Sequence, residues 1–73
     1  MNMIENRLMK YIPKKLQQYV TCLYEQCPRT REEPAVYALH MVIDGESICG
    51  VCDGVAEIRW AAKYMFENRE YNF

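Results

Sequence analysis

The sequence predicts a small α+β domain that occupies residues 1–73 as a single unit, and three observations predict it. Apolar residues recur at helical spacing near both ends of the chain. Between them an alternating apolar run stops at Asp44-Gly45, a strong hairpin-turn signal. Four cysteines stand as two pairs, Cys22/Cys27 and Cys49/Cys52, in only 73 residues. A chain this short seldom holds a core without a staple. The expected order is therefore two N-terminal helices, a short β-hairpin and a C-terminal helix, with the cysteines supplying the staple.

Ile4, Leu8, Tyr11 and Ile12 fall on one helical face, and Pro13 ends or bends that helix. Leu16, Tyr19, Val20 and Leu23 line a similar face of a second helix, with Lys14, Lys15, Gln17 and Gln18 outside it. Cys27 to Pro34 reads as a loop because two prolines bracket a charged run. From Ala35 to Ile43 the residues alternate in a way that suits a strand apolar on both faces. After the Asp44-Gly45 turn, a short return strand is expected from Glu46 to Ile48. From about Val55, the residues Val55, Ile58, Ala62 and Met65 share one helical face. Asp53 stands where its carboxylate would cap that helix, and the helix is expected to fray near Asn68.

Half the residues are hydrophobic and 26% are charged, which marks a globular chain. The formal net charge of −1 gives no general basic field for nucleic acid. The charge is unevenly spread. Residues 1–34 carry six Lys/Arg against four Glu, whereas residues 35–73 carry three Lys/Arg against six Asp/Glu. Such polarity suits docking on a mixed-charge protein surface. The opening residues lack the apolar core of a signal peptide, and no apolar run is long enough to cross a bilayer. The expected location is the cytoplasm, where paired cysteines more often bind metal than form disulfides.

The cysteine spacing fits a tetrahedral thiolate site for zinc, with Cys22, Cys27, Cys49 and Cys52 as ligands. Cys49-Gly50-Val51-Cys52 has the spacing of a ligand pair, and Gly50 and Gly54 free the backbone to turn its N–H groups toward the sulfurs. One condition attaches. If the second helix runs through Cys27, the Cys22 and Cys27 sulfurs point about 140° apart and cannot share a metal. Cys27 would then be a small buried hydrophobe. Zinc thus requires that helix to stop near Thr21 or Cys22. A thiol-redox role for Cys49/Cys52 is the weaker expectation, since the chain is too short for a thioredoxin-like sheet.

His40 is the only histidine and has no evident Ser or Asp partner for a triad. A chain of this length cannot both enclose a substrate pocket and keep a core, so an enzyme is not expected. Arg7, Lys10, Lys14 and Lys15 cluster around Pro13, and Arg29 and Arg31 join them from the loop. They form either a contact surface for an acidic partner or a solvated helix face. Trp60 and Tyr64, flanked by Arg59 and Lys63, either anchor a partner or cover the hairpin.

A first cysteine pair, a hairpin, and a second pair opening a helix resemble the treble-clef layout of zinc fingers over residues 22 to about 66. The whole chain resembles the small RNA-polymerase-binding transcription regulators of lytic Xanthomonas bacteriophages. That likeness rests on its length, its opening Met-Asn-Met-Ile-Glu-Asn-Arg-Leu-Met-Lys-Tyr-Ile-Pro and its four-cysteine layout. The resemblance implies a protein in the host cell cytoplasm that binds the host multisubunit RNA polymerase. It implies inhibition of host transcription initiation and antitermination at intrinsic terminators, with no small-molecule substrate and no membrane. It brings no contact residues with it. The alternative is a zinc-finger nucleic-acid-binding protein whose basic half meets phosphates, a reading the net charge opposes.

Overall fold

The computed structural model describes residues 3–27 and 35–69. Of the loop expected from Cys27 to Pro34, Cys27 belongs to a strand, and residues 28–34, with Arg29 and Arg31, lie outside the described residues, as does the tail 70–73.

The chain is an α+β domain. Strands β1 (Met3–Ile4), β2 (Val20–Cys27), β3 (Val36–Ile43) and β4 (Glu46–Cys52) form one sheet in the order β1-β2-β3-β4. The long strands β2, β3 and β4 are antiparallel, and β1 adds parallel to β2. A one-turn helix α1 (Asn6–Met9), a 3₁₀ helix (Lys14–Tyr19) and the helix α2 (Val55–Asn68) complete the fold. No helix among the described residues is long and apolar enough to cross a membrane.

The C-terminal half follows its sequence closely. Asp44 and Gly45 both adopt positive φ, 53° and 81°, as a two-residue hairpin turn of the primed type requires. The return strand runs on to Cys52, four residues beyond Ile48, because its inward side chains Ile48 and Cys52 still reach the core. Helix α2 starts at Val55, but Gly54 holds the capping position and Asp53 does not cap with its side chain. Instead the Asp53 N–H donates to Glu57 Oε2 at 3.2 Å. The Glu57 carboxylate thus reaches back from the first turn to the residue before the cap. At the other end Arg69 takes the left-handed conformation, and its N–H donates to the Met65 carbonyl at 2.8 Å. Its guanidinium then reaches Asp44 Oδ2 at 3.0 Å, tying the helix end to the hairpin turn.

The N-terminal half departs from expectation. Ile4 belongs to β1, and α1 is a single turn. The second predicted helix survives only as the 3₁₀ helix, after which the chain becomes β2. The cause is a bulge. Val20 pairs with Met41 while Cys22 pairs with His40, so β2 spends two residues where β3 spends one. Val20 and Leu23 both face inward as a result, at a separation of three that imitates a helix. Gln17 fixes the segment before β2, since its Nε2 donates to the carbonyls of Met9 at 3.1 Å and Ile12 at 3.2 Å.

The core lies between one sheet face and the helices. Leu23, Tyr37, Leu39, Met41, Ile43 and Ile48 point inward from the sheet. Ile58, Ala61, Ala62 and Met65 of α2 are fully buried against them. Leu8, Ile12 and Leu16 close the end beside the 3₁₀ helix. Each large side chain buried this way contributes about 1.5–3 kcal/mol of apolar transfer free energy.

Candidate functional site

The cysteines sit entirely on strands, and strand geometry decides their relations. Side chains alternate between faces with a period of two. Cys49 and Cys52 are three residues apart on β4, so they point to opposite sides of the sheet. Cys49 is exposed and Cys52 is fully buried. The spacing that chelates a metal from a turn places these two sulfurs on either side of a backbone. The first pair fails differently. Cys22 and Cys27 share the outer face because a second register shift lies between Glu25 and Cys27. They stand roughly 13 Å or more apart along β2 at the usual strand rise. Zinc–sulfur bonds of about 2.3 Å demand far closer sulfurs.

In this structure the four thiols are thus not gathered into one tetrahedral set. Among the described residues no group of three or more His, Cys, Asp or Glu side chains is arranged to hold a metal ion.

The sheet instead creates a row that pairing alone reveals. Cys22 is registered with His40, and His40 with Cys49, across three neighbouring strands. The backbones of Cys22 and Cys49 thus flank that of His40, about 4.8 Å away on each side at ordinary strand spacing. A Cys–His nucleophile also needs a group that orients the base and donors for an oxyanion. Here the backbone between these residues is engaged in the sheet ladder. The row carries polar groups on an open face, beside the exposed Val42 and Val51.

The basic residues converge more convincingly. Lys10, Pro13, Lys14 and Gln17 line a groove of about 440 Å³ together with Arg59 of α2. A second cavity of about 380 Å³ lies between Lys15 on the 3₁₀ helix and Arg59 and Lys63 on α2. The N-terminal cluster expected around Pro13 is thereby joined by two cations from more than forty residues further along. Lys10, Lys14, Lys15, Arg59 and Lys63 make no ion pair among the described residues. Arg7 does not belong with them. It is paired with Glu5 at 2.7 Å and Glu25 at 3.3 Å, so its charge is compensated where β1 meets β2.

Two aromatic rings border this basic seam. Trp60 and Tyr64 stack at 5.1 Å between centroids with 24° between planes, and Trp60 is 51% exposed. Trp60 stands at the surface, whereas Tyr64 is half-buried and packs against the core beside the inward residues Ile58, Ala61, Ala62 and Met65. Arg59 and Lys63 were legible beside the aromatics in the sequence. Their approach to Lys14 and Lys15 was not, since it depends on how α2 lies against the 3₁₀ helix.

Comparison of the chain with protein-family models, with curated proteins and with solved structures finds no match.

Proposed function

We propose that this protein is a bacteriophage transcription regulator that docks on the host multisubunit RNA polymerase. In this reading it inhibits host transcription initiation and promotes readthrough of intrinsic terminators by occupying polymerase surfaces, with no chemistry of its own. The observation that supports a docking role is the seam. Five cations from two distant segments, none of them in an ion pair among the described residues, meet beside an exposed, stacked Trp60. Such a patch gives electrostatic steering together with an aromatic anchor, the combination that protein interfaces favour. The polymerase as partner, and the two effects on transcription, rest on the resemblance of the whole chain. A binder that prefers some conformations of a larger assembly shifts that assembly's equilibrium by its difference in affinity.

The test is capture of purified host RNA polymerase by the immobilised protein over a range of salt. The wild type is expected to retain polymerase, and the double variant Lys14→Glu/Lys15→Glu to bind it more weakly, with a flatter salt dependence. Equal retention by the variant at every salt concentration removes the seam from the interface. No retention by the wild type removes the polymerase reading. Gel-shift titrations on duplex DNA and on RNA without polymerase address direct nucleic-acid binding, for which the docking reading expects almost no shift.

A further inference from the structure

We propose that the cavity between the 3₁₀ helix and α2 receives a bulky apolar side chain from an acidic amphipathic protein segment. The inference rests on the docking reading only in taking the partner to be a protein. It requires no particular machine.

The cavity, of about 380 Å³, has two kinds of lining. Pro13, Leu16 and Phe66 form an apolar floor, while Lys15, Arg59 and Lys63 stand around it. Leu16 is 3% exposed and belongs to the main core, so the floor is part of the packed interior. Among the described residues, Glu67 is the one acid on the lining. An occupant therefore needs an apolar group that reaches inward and negative groups beside it that remain at the rim. A segment in which leucine or phenylalanine is flanked by Asp and Glu presents that pattern on a helix or an extended strand.

The floor also favours protein over single-stranded nucleic acid. Nucleobases bind such surfaces by stacking on free aromatic faces while cations track the backbone. Among the described residues, Phe66 is the only aromatic one lining this cavity. Its ring packs against Tyr19 at 5.3 Å and carries the Arg69 guanidinium at 4.9 Å from its centroid. Those contacts occupy part of a ring that is only half-buried. The remaining floor is a proline and a leucine, which offer an aliphatic side chain contact but give a base nothing to stack on. Charge complementarity gives the sign of the partner, and the aliphatic part of the floor favours a protein side chain over a base.

The experiment titrates isotope-labelled full-length protein with a short peptide that carries two leucines one helical turn apart among Asp and Glu. A matched peptide has both leucines replaced by alanine, and an oligouridylate of equal charge is the third ligand. Trp60, the single tryptophan, gives an independent fluorescence signal next to Arg59. The leucine peptide is expected to shift amides over residues 14–16 and 59–67 and to saturate. The alanine peptide should bind about tenfold more weakly or worse, as should the leucine peptide to Arg59→Glu/Lys63→Glu. Both positions are exposed, so this variant should keep the wild-type spectrum. Lys15→Glu probes the same cavity from the 3₁₀ helix. Equal binding of the alanine peptide, tighter binding of oligouridylate at the same amides, or no shift at the cavity overturns the proposal. None of these outcomes depends on whether polymerase is captured.

Discussion

The two faces of the sheet are built from the same three strands and differ in almost every physical respect. The inner face is a continuous apolar surface under α2, with Leu23, Leu39, Met41 and Tyr37 at 1% exposure or less. The outer face carries Cys22, His40, Ser47 and Cys49, with Val42 and Val51 more than 40% exposed. Residues one step apart along a strand thus live in different solvents. What the difference teaches is that a residue's sequence neighbours say little about its environment once the chain is a strand. Its cross-strand neighbours say nearly everything.

The largest expected effect tests whether the inner face is where the stability resides. Leu39→Ala removes a fully buried side chain from the middle of β3 and should cost about 2–5 kcal/mol in denaturant unfolding. Val51→Ala on the outer face should cost under about 1 kcal/mol. Comparable losses at the two positions would erase the distinction.

An intermediate effect sharpens it with one residue type. Cys52→Ser buries a hydroxyl at a fully enclosed position and should cost about 1–3 kcal/mol, whereas Cys49→Ser should stay within about 0.5 kcal/mol. The same pair can be read without mutation. In the native protein Cys49 should react readily with a thiol reagent, and Cys52 should react only as fast as the domain opens. Equal labelling rates would break the comparison. The smallest effect belongs to the exposed tie between Arg69 and Asp44. Asp44→Asn should lose under about 1 kcal/mol, and less in high salt, measured by thermal unfolding.

What the sequence disclosed follows the same line. β3, the Asp44-Gly45 turn and the start of α2 were legible because each obeys a local rule: alternation, left-handed turn residues, and a long 3.6-residue period. β2 was not, because the bulge at Thr21 shifts its inward residues to a spacing of three and disguises a strand as a helix. The β-branched pair Val20-Thr21 followed by Tyr24 was the signal for a strand, and it weighed less than the periodicity. The cysteine side chains are dispersed for a related reason. Cysteine spacing reads as a ligand pair only when the intervening residues turn, and here they stay extended to Cys52. The basic cluster around Pro13 was visible in part. Lys10, Lys14 and Lys15 line the groove and the cavity, Arg7 pairs with Glu5 and Glu25, and Arg59 and Lys63 could be added only by tertiary packing.

The short parallel strand β1 has a consequence for how the molecule keeps to itself. Met3 and Ile4 pair with Cys22 and Leu23, and the Glu5 N–H donates to the Leu23 carbonyl at 2.8 Å. These few residues act as a bumper along a border that would otherwise offer a ready template to a neighbouring polypeptide. Trimming or crowding them, for instance with an affinity tag, would invite clumping long before it loosened the interior.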